Sequence, residues 1–174
     1  MNTPLQEQLR ATMAQLTAKL DTFDAQSFNT VPYAGSWTAG QVADHVYKSV
    51  ANISRVLNGN TRPADRDPWQ IQPMLEQVFL NFERQLSSPE FILPGNGPFS
   101  KDSFIALFRI VANDIDGALQ ASDLTELCLD FELPGGIGHL TRQELIYFVV
   151  VHTQRHIHQL EKIHKALSVR VLSS

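Results

Sequence analysis

The residues of this chain best placed to do chemistry are two histidines four positions apart, His152 and His156, in the stretch Val151-His152-Thr153-Gln154-Arg155-His156. On a helix, positions i and i+4 share a face, so both imidazoles can grip one metal ion. The face is apolar: Leu145, Phe148, Val149, His152, His156, Leu160 and Ile163 follow the spacing of a buried stripe. A neutral imidazole is poor core filler, because each ring nitrogen needs a partner once water is gone. The pair alone fits two readings equally well, metal ligands or core histidines bonded to carbonyls. A third histidine of the same character tilts the balance.

His45 has that character. Thr38-Ala39-Gly40-Gln41 has the form of a capping box, opening a helix expected to run to about Leu57 and to stop before Asn58-Gly59-Asn60. Val42, His45, Val46, Ile53 and Val56 share its apolar face. His152 and His156 belong to a last helix that starts at the capping box Thr141-Arg142-Gln143-Glu144. Ile146 to Val151 is β-branched and aromatic enough for a strand, but the cap and a periodicity sustained through Ile163 predict helix. Three histidines on the core faces of two helices meet the needs of a first-row metal site. Three protein ligands leave one position for water or substrate, as in catalytic zinc sites. Nickel, cobalt or iron accept the same imidazoles.

The remaining elements are predicted as scaffold. Thr3-Pro4-Leu5-Gln6 opens a first helix, with Thr3 as N-cap and Leu5, Leu9, Met13, Leu16 and Leu20 on its buried face. Thr61 to Pro73 is a loop by its proline and charge. A shorter helix is expected over Pro73 to Leu86, with Met74, Leu75, Val78, Phe79 and Phe82 on its apolar side. Ser87 to Phe99 is irregular. Helix resumes at Lys101, capped by Ser100, with Phe104, Leu107, Phe108, Val111, Ile115 and Leu119 as its stripe. Leu127 to Leu133 alternates as a short extended arm and ends at Pro134-Gly135-Gly136. Four long amphipathic helices and one short addition predict an all-α helical bundle in a single domain over residues 1–174. The long connection from Leu57 to Ser100 allows a crossover topology.

Competing chemistries fit less well. The metalloprotease motif needs Glu directly after its first histidine, where Thr153 stands. A di-iron bundle needs two Glu-x-x-His motifs, and Glu161-Lys162-Ile163-His164 is the only such spacing, expected as a solvated helix end. His158 lies about 200° around the helix from His156 and is expected at the surface near Lys162. His139 precedes the last helix in a loop, as a surface or capping residue. The single cysteine, Cys128, excludes an internal disulfide and predicts a buried, inert thiol. Trp37 and Trp69 are expected as core and loop anchors. Gln41, one turn before His45, and Gln159, one turn after His156, are candidates to orient ligands or substrate, or else ordinary surface residues.

Composition narrows the partners. Of 174 residues, 43% are hydrophobic and 18% charged, with a net charge of −4. That is enough apolar content for one substantial core, and it argues against nucleic acid or an anionic membrane as partner. The first residues carry neither a basic segment nor an apolar run of the secretory type. The longest apolar run, Leu145 to Val151, is too short to span a bilayer. A soluble cytoplasmic protein is expected.

Taken together, Gly35-Ser36-Trp37-Thr38 with His45 seven residues on, and His152-x-x-x-His156 followed by Gln159, resemble the DinB/YfiT-like superfamily of metalloenzymes. The approach from Pro134-Gly135 to Leu140-Thr141 is similar too, so the resemblance spans nearly the whole chain. It implies a four-helix bundle of crossed-over topology, often dimeric, with zinc or nickel on His45, His152 and His156. It also implies a small-molecule substrate, handled by thiol-dependent S-transfer or isomerisation with a low-molecular-weight thiol, or by hydrolysis. The helix over Pro73 to Leu86 departs from the family pattern and would cover or reshape the pocket. A non-catalytic metal- or ligand-binding bundle with a stress-related role is the competing class.

Overall fold

The computed structural model describes residues 4–120 and 122–171, so the expected N-cap Thr3 lies outside the described residues. The fold is mostly helical. Helix α1 (Pro4–Asp21) buries Leu5, Leu9, Met13, Leu16 and Leu20, the stripe its spacing predicts. A short helix α2 (Ala25–Phe28) follows, capped by Asp24 and Ser27 in a reciprocal box. It drives Phe28 fully into the core against Phe23 and Phe104. Helix α3 (Ala39–Val50) starts at the Thr38 and Gln41 capping box.

The expected helix over Thr38 to Leu57 is in fact two. Ala51 and Asn52 separate α3 from α4 (Ile53–Leu57). Asn52 sits at φ −103° and ψ 3°, outside the helical well, and the hydroxyl of Ser49 donates back to the His45 carbonyl at 2.9 Å, a contact that bends helices. Helix α5 (Gln72–Phe79) also stops short of the expected Leu86. Asn81 accepts from the Glu83 amide through its side chain, a local turn that competes with helix. The guanidinium of Arg155 meanwhile holds the Phe79 and Asn81 carbonyls at 3.4 and 2.9 Å. Only Leu75 of the expected α5 stripe is fully buried; Met74 and Phe82 stay exposed. The described residues therefore contain three short helices, α2, α4 and α5, where the sequence predicts one.

Helix α6 (Lys101–Gln120) is capped by Ser100 as expected. Helix α7 (Arg142–Val171) carries its first ten residues in the core, and Ile146 to Val151 are helical, as the cap and the periodicity predict. Helix α1 packs on α6 and α7, and α3 packs on the same two. The extended arm shrinks to β2 (Leu127–Cys128), which pairs antiparallel with β1 (Thr61–Arg62) in what was expected as loop. Beyond Cys128 the Leu129 amide still bonds to the Asn60 carbonyl, but Pro134 and the positive-φ Gly135 turn the chain away. The segment expected as irregular, Ser87 to Phe99, holds one 3-10 turn, Glu90–Ile92. No helix among the described residues is long and apolar enough to cross a membrane.

Two charged networks set the entry of α7. Thr141 and Glu144 form the predicted capping box, with amide contacts of 3.0 and 3.2 Å. The Glu144 carboxylate is fully buried and takes two bonds from Arg66, at 2.7 and 2.6 Å, plus one from the Ile71 amide. Next to it, Arg142 donates to the Leu57 and Asp123 carbonyls and to Glu126. These bonds clamp α4, the 61–71 segment and the 123–126 segment onto the first turn of α7. Arg66→Ala would leave the Glu144 charge buried without its counter-ion, and should cost about 3 kcal/mol of stability in urea unfolding. Arg62→Ala, removing a solvent-exposed pair with Asp65, should cost less than about 0.5 kcal/mol.

Candidate metal centre

Helices α3 and α7 bring their histidines to one point. His45 comes from the middle of α3, and His152 and His156 from successive turns in the middle of α7; all three are buried. The Nε2 atom of His152 lies 3.3 Å from Nε2 of His45 and 3.2 Å from Nε2 of His156. One ligand atom from each of the three falls within 4.8 Å of the others. A tetrahedral ion at zinc-imidazole bond lengths holds neighbouring nitrogens about 3.3 Å apart, so both measured contacts fit such an ion.

Proton bookkeeping supports the same fit. The Nδ1–H of His45 donates to the Ile92 carbonyl at 2.9 Å, and the Nδ1–H of His156 donates to Oε1 of Gln159 at 2.8 Å. Carbonyl oxygens only accept, so both rings carry their proton on Nδ1 and present a bare Nε2 lone pair. His152 holds at most one hydrogen at its own Nε2 and can satisfy only one of these two neighbours. Its Nδ1 is buried with no partner among the described residues. Adding further protons is opposed by the surroundings. Burial, followed by the charge of His45, pushes the His156 imidazole down to about 3. Burial, then His156 and His45, pushes His152 well below its ordinary value, and burial lowers His45 as well. A cation among the three Nε2 atoms would resolve the conflict, and the three facing nitrogens could hold one.

The surroundings are specific. Phe148 and Phe79 flank the ring of His152 at 5.3 and 5.7 Å, and Trp37 lies 5.2 Å from His45. A strap formed by residues 92–95 lies along α3, because Gln41, Asp44, His45 and Lys48 all bond to its backbone. At the start of α3, Gly40 leaves room for the Phe99 ring: a Cβ there would meet that ring at 2.8 Å. On the α7 side, Arg155 donates to the carbonyls of Phe79, Asn81 and Arg84, and so fixes the segment after α5. Two clefts reach the cluster. One, of about 640 Å³, is mainly apolar and opens onto His45 and His152. The other, of about 610 Å³, is polar and opens onto His156 and Gln159. Arg84 and Leu86 contribute to both.

The profile of the DinB superfamily matches residues 7–160, which takes in all three histidines, the whole of α3 and α6 and most of α1 and α7. The chain belongs to the DinB superfamily. No curated protein and no solved structure matches it.

Within this DinB-superfamily fold the other predicted residues divide. Gln159 does orient a histidine. Gln41 does not: its side chain closes the α3 capping box and bonds the Gly95 carbonyl. His139 does not join the cluster; it is bonded to the Phe131 carbonyl and lies 3.2 Å from Glu132. His158 is half-buried, stacked on Phe82 at 4.2 Å, and lines the polar cleft together with Lys162. His164 is also half-buried, against Phe23, rather than solvated. Cys128 is buried and its thiol is pushed up to about 11 by burial, the inert state expected. Trp37 is a half-buried core anchor, and Trp69 is a loop anchor set edge-on to Tyr147. Two contributors were missed. The Ile92 carbonyl is backbone and leaves no mark in the sequence. Arg155 had one, a cation set between two ligand-spaced histidines.

The depressed histidines give a signed pH dependence. In chelator-treated protein the folded state keeps His156 neutral down to about 3, while the unfolded chain binds its proton near 6.5. Stability is therefore full above about 6.5 and falls as pH drops below it, because the unfolded state takes up more protons. By linkage, His156 alone should cost about 2 kcal/mol between about pH 7.5 and about pH 5. Urea unfolding of wild type and His156→Leu across that range measures it: the wild type should lose more stability than the variant by about that amount.

Proposed function

We propose that this chain is a metal-dependent enzyme that holds one divalent ion, zinc or nickel, on His45, His152 and His156, and transfers a low-molecular-weight thiol to a small-molecule electrophile. The observation that carries the metal site is the convergence of the three Nε2 atoms with two of the Nδ1 atoms tied to carbonyl oxygens. The assignment to chemistry rests on the ligand count, since no carboxylate or thiol joins the cluster among the described residues. When bound, such an ion supplies a Lewis-acid centre that lowers the pKa of a thiol or a water.

The residues of the chain have separate tasks. Ile92 and Gln159 hold the His45 and His156 rings in the tautomer that leaves Nε2 available. The flanking aromatic rings keep water from the histidine side of the site. Arg155 places a fixed positive charge beside the cluster, which favours an anionic ligand there. Hydrolysis is the alternative reaction of the same site. Two clefts meeting at one cluster favour transfer, because a two-substrate reaction needs two approaches while hydrolysis needs room for one substrate and a water. The crossed-over four-helix bundle, the single domain over residues 1–174, the homodimer and the cytoplasmic location rest on the resemblance of the motifs to the family, and belong to the same proposal.

Elemental analysis of protein purified without a nickel column should give one divalent ion per chain in the wild type and none in His156→Ala. Equal metal in both would refute the site. Gln159→Leu should bind the ion about 10–100-fold more weakly in a competitive chelator titration, the usual weight of a ligand-orienting partner.

A further inference from the structure

The apolar cleft has walls and a charged rim that metal binding does not require. Val78, Phe79, Phe131, Ile137 and Phe148 line it, and its volume of about 640 Å³ lies in the range of small-molecule sites. At its edge Phe91 is 71% exposed and Met74 is 36% exposed. Such surface gains from being covered by an apolar ligand. A sugar-like or peptide-like ligand would leave its own polar groups unpaired against these walls.

Four charged residues also line the cleft: Lys48, Arg55, Arg84 and Asp130. Lys48 is neutralised by Asp44 at 2.8 Å. Asp130 accepts from the amide and side chain of Asn60, and the charge of Arg55 acts on it. Arg84 has no carboxylate at ion-pair distance among the described residues. Its charge is instead felt by Arg155, whose guanidinium is lowered first by burial and then by Arg84. On a chain of net charge −4, two like charges beside a buried site mark a place where an anion is missing from the balance.

We infer that the apolar cleft binds a small apolar carboxylate, an aryl or branched-alkyl acid, with its hydrocarbon body against Val78, Phe79, Phe131, Ile137 and Phe148 and its carboxylate toward Arg84. As the substrate class of the enzyme, this assignment rests on the proposed function; as a binding site, it stands on the cleft alone. A cationic head is opposed by Arg84, and a neutral body of the same shape forgoes the charge contact.

The test is a binding titration with 2-naphthoate, its uncharged methyl ester, and acetate, on metal-loaded and chelator-treated full-length protein. Naphthoate should bind both forms, and acetate should not compete with it at equal concentration. Arg84→Gln should weaken naphthoate about fivefold, the upper weight of one accessible charge contact, and leave the ester unchanged. Val78→Asp and Phe91→Ala, both at positions that keep solvent contact, should weaken both ligands. Binding to the chelator-treated protein supports the site even if metal analysis were to fail, so the two readings fall separately. If naphthoate binds only with metal present, or if Arg84→Gln leaves it unchanged, the carboxylate does not sit at Arg84 and the inference is overturned. Unchanged binding in both Val78→Asp and Phe91→Ala overturns the placement of the hydrocarbon body.

Discussion

Three imidazole nitrogens held at 3.2 to 3.3 Å contacts in a buried site are a costly arrangement for a protein to maintain. Lone pairs repel at that range, and burial denies the rings the further protons that would turn every such contact into a hydrogen bond. The cost persists only if the surrounding structure over-determines the three positions. Much of the fold does so. His45 is fixed by the Ile92 carbonyl and by Trp37, His156 by Gln159, and His152 by the rings of Phe79 and Phe148.

Those local restraints depend on how α7 is set against α3. The rotation of α7 about its axis decides where His152 and His156 point, and the networks of Arg142 and Glu144 set that rotation at the first turn. Buried ion pairs of this kind add little net stability over an apolar core of the same shape, but they tolerate one geometry only. On α3 the equivalent device is the strap of residues 92–95, which is bonded to Gln41, Asp44 and Lys48 and delivers the carbonyl that orients His45. The site thus draws on segments far apart in the chain, two helices and two connecting loops.

Much of this was legible in the sequence, and the limits have physical causes. The i, i+4 pair, the third histidine on an apolar face and the capping boxes at Thr38 and Thr141 are local patterns, and local patterns survive into the structure. The helix ends near Asn52 and Phe79 were misplaced because they depend on side chains elsewhere. Ser49 bends α3 toward its break, and Arg155, from a helix 71 or more positions along, takes the carbonyls that would have continued α5. The two-residue strands at Thr61 and Leu127 are too short to show a period, and Phe28 looks like loop until Asp24 and Ser27 are seen to cap it. Gln41 shows the ambiguity most clearly: one turn from His45 and polar, it serves the helix cap rather than the histidine cluster. The clefts were out of reach, because each is built from residues scattered along the chain.

The claim at the centre of this account is that the three histidines hold an ion with a coordination position left open. Cobalt is spectroscopically visible and accepts the same ligands, so the direct measurement is the absorption spectrum of the cobalt-substituted protein during titration with a small thiol. An open three-histidine site predicts tetrahedral visible bands that shift on thiol addition, with a new charge-transfer band that saturates at one thiol per chain. A cobalt spectrum that ignores both thiols and small anions would mean a closed shell, and would contradict the catalytic reading.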